Sequence, residues 1–128
     1  MEALPATAWR SIVEQSPDGV VCTDRSGCIL VWNRGAERIF GFAASEAVGA
    51  SLDLIIPERF RAAHWKAFEE AVRSGKTKNE EGRVLTTRSI RKDGGKLYVD
   101  FAFGLLRDDA GEVTGVLATA RPAAKPPG

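Results

Sequence analysis

Two short runs of strand-forming residues lie near the start of the chain, at positions 20–24 and 28–33. The DRSG segment between them, 24–27, has the turn formers that a tight hairpin needs. The spacing then becomes helical. Asn33 suits the N-cap of a turn carrying Ala36, Ile39 and Phe40, and Gly41 suits its end. Ser45 and Glu46 open a second short turn that stops at Gly49. The longest helical stretch follows. Pro57 is a favoured first-turn residue, Glu58 sits at the positive end of the helix dipole, and Gly75 closes the stretch after Arg73. Its apolar positions, Phe60, Ala63, Ala67, Phe68, Ala71 and Val72, recur at spacings of three and four. His64 lies on that stripe, sharing a face with Phe60, Ala67, Phe68 and Ala71.

Beyond Gly82 the alternation returns. A run at 83–91 meets a KDGG turn at 92–95, and a long run at 96–107 sends Val99, Phe101 and Phe103 one way and Tyr98, Asp100 and Ala102 the other. A DDAG turn at 108–111 leads to a last strand at 113–120. Two strands, a helical excursion and three strands joined by short turns predict an α+β domain. Its sheet is expected to be five-stranded and antiparallel, with helices covering one face. Residues 1–15 read as a flanking segment with a short helix presenting Trp9, Ile12 and Val13, and 16–121 as the domain. Residues 122–128 read as a proline-rich tail, because proline can join neither a ladder nor a helix interior.

Length and charge narrow the classes. The 128 residues suit a single domain, and an apolar share of 44% is enough to fill its core. Eighteen Lys and Arg against seventeen Asp and Glu leave a net charge of +1, so no nucleic-acid partner is expected. Two cysteines are not a disulfide framework, which makes a reducing, cytoplasmic setting the expectation. No apolar run approaches the roughly 18–20 residues that span a bilayer, and MEALPATAWR lacks the features of a signal peptide. No membrane association is expected.

Catalytic patterns are absent. The chain has no GxGxxG or GxxxxGK[ST] loop and no CxxCH. A Ser/His/Asp triad would need His64 as its base, and His64 lies among apolar neighbours. Zinc would want around four ligands, against one histidine and two cysteines separated by a sheet and a helix. No enzyme activity is expected. His64 itself has two readings: a partly buried core residue donating to a carbonyl, or a ligand.

The segments PDGVVCTDRSG (17–27), VWNRGAERIFGF (31–42), LIIPERFR (54–61) and RKDGGKLYVDF (91–101), with the closing GEVTGVLATAR, resemble a PAS domain, a sensory module of bacterial signalling proteins. That resemblance implies a ligand pocket between sheet and helices, and a homodimer, for which Trp9 offers an interface if it does not pack on the sheet. Within it, Ile56, Pro57, Arg61 and His64 match the IPxxxRxxH spacing of the FixL-type oxygen-sensing kinases and the direct-oxygen-sensor phosphodiesterases. The likeness implies haem b (iron protoporphyrin IX) with His64 as the iron ligand. Phe60, Trp65 and Phe68 would line it from the helix, and Val99, Phe101, Phe103 and Leu117 from the sheet. The signal would be oxygen, carbon monoxide, nitric oxide or redox state. The alternatives are a haem-free dimerisation and relay module, or a binder of another small apolar ligand.

The chain departs from those sensors in places. The position of their oxygen-binding arginine falls on Leu85, and the nearest arginine on that strand face is Arg83, either a distal donor or a solvated strand end. Their propionate-holding positions fall on Glu70 and Ala71, leaving Arg73, Lys76 or Lys78 as substitutes. Met1 is the only methionine and His64 the only histidine, so neither residue type can fill a sixth position and an open, five-coordinate ferrous iron is expected. Light sensing through a cysteinyl flavin would need a cysteine on the helix within 33–42, and there is none. Trp65 is either at the pocket's edge or on a flank half in solvent.

Overall fold

The computed structural model describes residues 3–77 and 82–126; Met1, Lys78 and the last two residues of the tail lie outside them. A five-stranded antiparallel sheet has the order β2-β1-β5-β4-β3. The strands are β1 (Gly19–Asp24), β2 (Ile29–Trp32), β3 (Leu85–Ile90), β4 (Lys96–Arg107) and β5 (Val113–Ala123). Consecutive strands joined by tight turns pair as hairpins, while β2 and β3 end up on opposite edges. The chain between them must therefore cross a whole face of the sheet. It does so as α2 (Arg34–Phe40), α3 (Ala44–Ala47), a 3-10 turn (Leu52–Ile55) and α4 (Glu58–Ser74). A leading helix, α1 (Ala6–Gln15), packs on α2 and buries none of its residues.

Local chemistry accounts for the element ends. Asn33 caps α2 by accepting from Ala36 N, and Gly41 closes it in the left-handed conformation. Gly75 closes α4 in the same way. Pro57 lies just outside α4 as its N-cap, so the helix starts at Glu58. The second short turn starts at Ala44, one residue earlier than the serine suggests, and is capped at Ala43, whose N donates to Glu46 Oε1. The last strand runs past its expected end. Arg121, Pro122 and Ala123 pair with Asp100, Val99 and Tyr98, so the first two residues of the expected tail are strand. Proline is tolerated there because β1 pairs with β5 only as far as Ala120, leaving the final residues with one neighbour.

The core fills one end of the crossed face. Val21, Ile29, Trp32, Ile39, Phe40, Ile55 and Val99 are buried together, with Phe40, Ile29 and Val99 fully enclosed. Trp32 packs between sheet and helices, its ring 5.4 Å from that of Phe40 and its Nε1 donating to Phe42 O at 3.0 Å. A smaller cluster of Phe68, Val72 and Val113 closes the far end beneath α4. Between the two the face is not filled.

Gly35 shows how closely α2 is seated. A Cβ there would lie 2.2 Å from Asp18 O and 2.8 Å from Gly19 N. Gly35→Ala gains about 1 kcal/mol of helix propensity but forces backbone against backbone, which costs about 1–3 kcal/mol. The expected net result is a lower melting temperature; an unchanged or raised one would contradict this seating.

Candidate functional site

The unfilled part of the face is a cavity of about 680 Å³ between α4, the 3-10 turn and strands β3, β4 and β5. That lies within the roughly 300–1,000 Å³ of pockets that hold small molecules and cofactors. Phe60, His64 and Phe68 line it from α4, Arg83 and Leu85 from the β3 side, and Phe101 and Phe103 from β4. The helical stripe and the strand alternation thus bring together seven of the ten residues expected at the site.

Three expected residues are elsewhere. Val99 shares the inward face of β4 with Phe101 but lies in the core cluster with Phe40, which fills that end of the sheet. Leu117 sits across from Gly104 on the other face of β5, and its neighbours Val116 and Ala118 line the cavity instead. A period of two makes a one-residue error in register a change of face. Trp65 turns away from the cavity. Its Nε1 donates to Asp53 Oδ1 at 2.8 Å, and its ring lies where a Cβ on Gly27 would be, 2.2 Å away. It closes the gap between α4 and the β1–β2 turn.

Leu52, Arg59, Arg88, Tyr98, Leu105 and Val116 line the cavity without having been expected. Leu105 continues the parity of Phe101 and Phe103 and was legible in the alternation. The others depend on how distant segments meet. Arg73 and Lys76 are not in the wall, and Arg73 pairs with Glu70 on the helix exterior. Among the described residues the cationic ones that line the cavity are Arg59, Arg83 and Arg88.

His64 stands one turn beyond Phe60 and one before Phe68, its ring centroid 5.9 Å from that of Phe68 and 4.7 Å from that of Trp65. Burial lowers its pKa from the ordinary 6.5, against a weaker opposing pull from Asp53, so the ring is neutral at physiological pH. Its Nδ1 is buried and has no hydrogen-bond partner among the described residues. Arg61 holds the helix start in place: its guanidinium donates to Ile56 O at 3.0 Å and to Asp53 O at 3.2 Å. The arginine of the IPxxxRxxH run therefore ties α4 to the preceding turn and faces away from the cavity chemistry. A free metal ion would need further ligands, and among the described residues no group of three or more His, Cys, Asp or Glu could hold one. No helix among them is long and apolar enough to cross a membrane.

A five-stranded antiparallel sheet crossed by short helices over a ligand-sized cavity is an architecture that the comparisons also find. Residues 7–123 match the model of the PAS fold, and the chain belongs to that family. It is a PAS sensory domain of signal transduction. Among curated proteins it is similar to the oxygen sensor protein DosP of Escherichia coli (strain K12), with 29% identity over 70% of this chain and 11% of that protein. It is also similar to the sensor protein FixL of Bradyrhizobium diazoefficiens, with 28% identity over 77% of this chain and 19% of that protein. The match thus spans no more than a fifth of either relative. Among solved structures, a PAS domain from Colwellia psychrerythraea superposes with a TM-score of 0.78 at 20% identity, over 91% of this chain and 95% of that one. An RNA-binding light-oxygen-voltage receptor gives 0.75 at 19% identity, over 95% of this chain and 35% of that one. Both show the fold.

Proposed function

We propose that this PAS domain binds haem b through His64 and reports a diatomic gas or redox state. The observation that carries the reading is a neutral imidazole set among apolar side chains in the wall of a cofactor-sized cavity. With Nδ1 sealed off, Nε2 is the nitrogen left to coordinate. One protein ligand suits a metal that arrives with a macrocycle of its own. Phe68, Phe103 and Leu105 supply apolar walls for such a ring, and no described side chain other than His64 offers an imidazole or thioether. When bound, haem supplies an iron with one position open to a small gas. Arg83, on the cavity wall, offers a charge-assisted donor toward that side. The likeness to an oxygen sensor and to FixL supports the same reading.

The domain performs no covalent chemistry in this reading: it couples occupancy of the cavity to its surface, where about 1–3 kcal/mol of differential binding is enough to bias a partner. Haemin added to protein expressed without haem should produce a red complex with a Soret band. On reduction it should be five-coordinate and shift with carbon monoxide. A protein that stays colourless in excess haemin, or a reduced complex that is six-coordinate without gas, overturns the reading.

The homodimer belongs to the same proposal. Leu4, Trp9 and Ile12 are 48%, 58% and 53% exposed along the leading segment, an apolar strip that a second copy would cover. Trp9→Ser should turn a dimer into a monomer in sedimentation. A wild type that is monomeric at high micromolar concentration would remove this part.

A further inference from the structure

We propose that Asp53 and Trp65, neither of which is in the cavity wall, are positioning residues that hold the ring of His64 at the angle it needs as a ligand. The inference rests on the reading of His64 as the haem ligand. A histidine bound to a metal ordinarily donates its second ring nitrogen to a carbonyl or carboxylate, and that hydrogen bond fixes how the ring is turned. His64 has no such bond: its Nδ1 is buried without a partner among the described residues. Packing must set the ring's angle instead.

Two aromatic rings border the imidazole. Phe68, one turn further along α4, is tilted by 40° at 5.9 Å between centroids, and Trp65 stands edge-on at 78° and 4.7 Å. Trp65 and Phe68 also meet each other, at 5.1 Å and 70°. The three rings form one cluster, in which a turn of the imidazole displaces a neighbour. Phe68 has no polar group to anchor it. Trp65 is tied down from outside the cavity, at both ends of its indole. Its Nε1 donates to Asp53 Oδ1 at 2.8 Å. Its far edge lies against Gly27, where a Cβ would be 2.2 Å from Cη2 and 2.4 Å from Cζ3. Gly27 has φ +86°, a conformation that glycine adopts without strain, and its bare backbone leaves the ring its place.

Asp53 is held in turn. It lies in the 3-10 turn, where its N donates to Ser51 Oγ at 3.1 Å. Arg61 reaches it from α4, donating to its carbonyl at 3.2 Å with Nε 3.8 Å from Oδ1. Leu52 N donates to Gly27 O at 3.2 Å, so the two supports of the indole belong to one hydrogen-bonded unit. The indole bridges that unit to the turn of α4 that carries His64.

The test breaks the Trp65–Asp53 hydrogen bond from each side. Asp53→Ala removes the acceptor, Trp65→Phe removes the donor but keeps a ring, and Asp53→Asn keeps an acceptor without the charge. In the haemin-free protein the sole histidine gives a single imidazole Cε1–H resonance. At fixed pH that line should shift and broaden in Asp53→Ala and stay near its wild-type position in Asp53→Asn. Haemin release to excess apomyoglobin should be about tenfold faster in Asp53→Ala and in Trp65→Phe, the low end of what loss of an outer-shell partner costs a metal site. The double variant should be no faster than either single one, because both remove the same bond. Gly35→Ala, away from the cavity wall, should leave both readouts at their wild-type values. An unmoved Cε1–H line in Asp53→Ala, additive effects in the double variant, or an equal effect from Gly35→Ala overturns the assignment. A wild type that takes up no haemin sinks the haem reading and leaves the hold on the ring to be judged by the resonance. Variants that release haemin at the wild-type rate keep the haem reading and remove the positioning role.

Discussion

His64→Ala should give a folded domain that no longer forms the haemin complex, with affinity reduced at least about 100-fold. Among the described residues of the wall His64 carries the only imidazole, and the neighbouring Phe60, Ala67 and Phe68 have nothing to offer a metal. The variant should lose little stability. A buried Nδ1 without a partner is a cost that alanine removes, offsetting the packing lost, and the net change should stay within about 1 kcal/mol. The ligand-free wild type also has a pH signature. Burial holds the folded-state pKa of His64 below 6.5, so below that pH the unfolded chain takes up the proton more readily. The contribution is intact above 6.5 and is lost as pH falls toward the lowered value. Urea midpoints of wild type should therefore drop more than those of His64→Ala between about pH 7.5 and about pH 5.5. Parallel pH dependences would mean that the ring is not buried as described, and retention of the Soret band by the variant would remove His64 as the ligand.

The largest loss of stability is expected at Asn33. Its side chain is 1% exposed and uses its whole hydrogen-bonding capacity on backbone from three segments. Oδ1 accepts from Val20 N at 2.8 Å and from Ala36 N at 3.0 Å. Nδ2 donates to Val13 O at 2.7 Å and to Asp18 O at 3.0 Å. One amide thus joins the end of α1, the start of β1 and the cap of α2. Asn33→Ala strands these groups, and at about 1–3 kcal/mol for each one left without water the loss should reach about 3–5 kcal/mol. That is a large share of the roughly 5–15 kcal/mol of an ordinary domain. Asn33→Asp separates the two halves of the role. It keeps the acceptor but faces two carbonyl oxygens with a carboxylate, so it should be nearly as damaging. Urea unfolding measures both, and a loss under about 1 kcal/mol for the alanine variant would show that the junction is not where the fold is held.

Much of the architecture is local and could be read in advance. Asn33, Gly41 and Gly75 act on backbone groups within a few residues of themselves, so their positions mark helix ends whatever surrounds them. The alternation in β4 and the stripe on α4 are equally short-ranged. They set the inward faces of Phe101, Phe103, Phe60 and Phe68, and they put His64 among them. The placement of Val99, Leu117 and Trp65 went differently for one reason. Each depends on what lies across from it: Phe40 filling one end of the sheet, the register of β5 against β4, and the approach of Gly27 to α4.

The chain by itself determined a hairpin, a crossing, three more strands and a histidine on an apolar helix face, because hydrogen-bonded turns, caps and side-chain periodicity act over a few residues. Only the tertiary structure decided that Leu52, Phe68 and Val116, drawn from three elements, share the wall of one cavity. Their meeting depends on the path of the 3-10 turn and α4 across the sheet to β5, distances that no local pattern encodes.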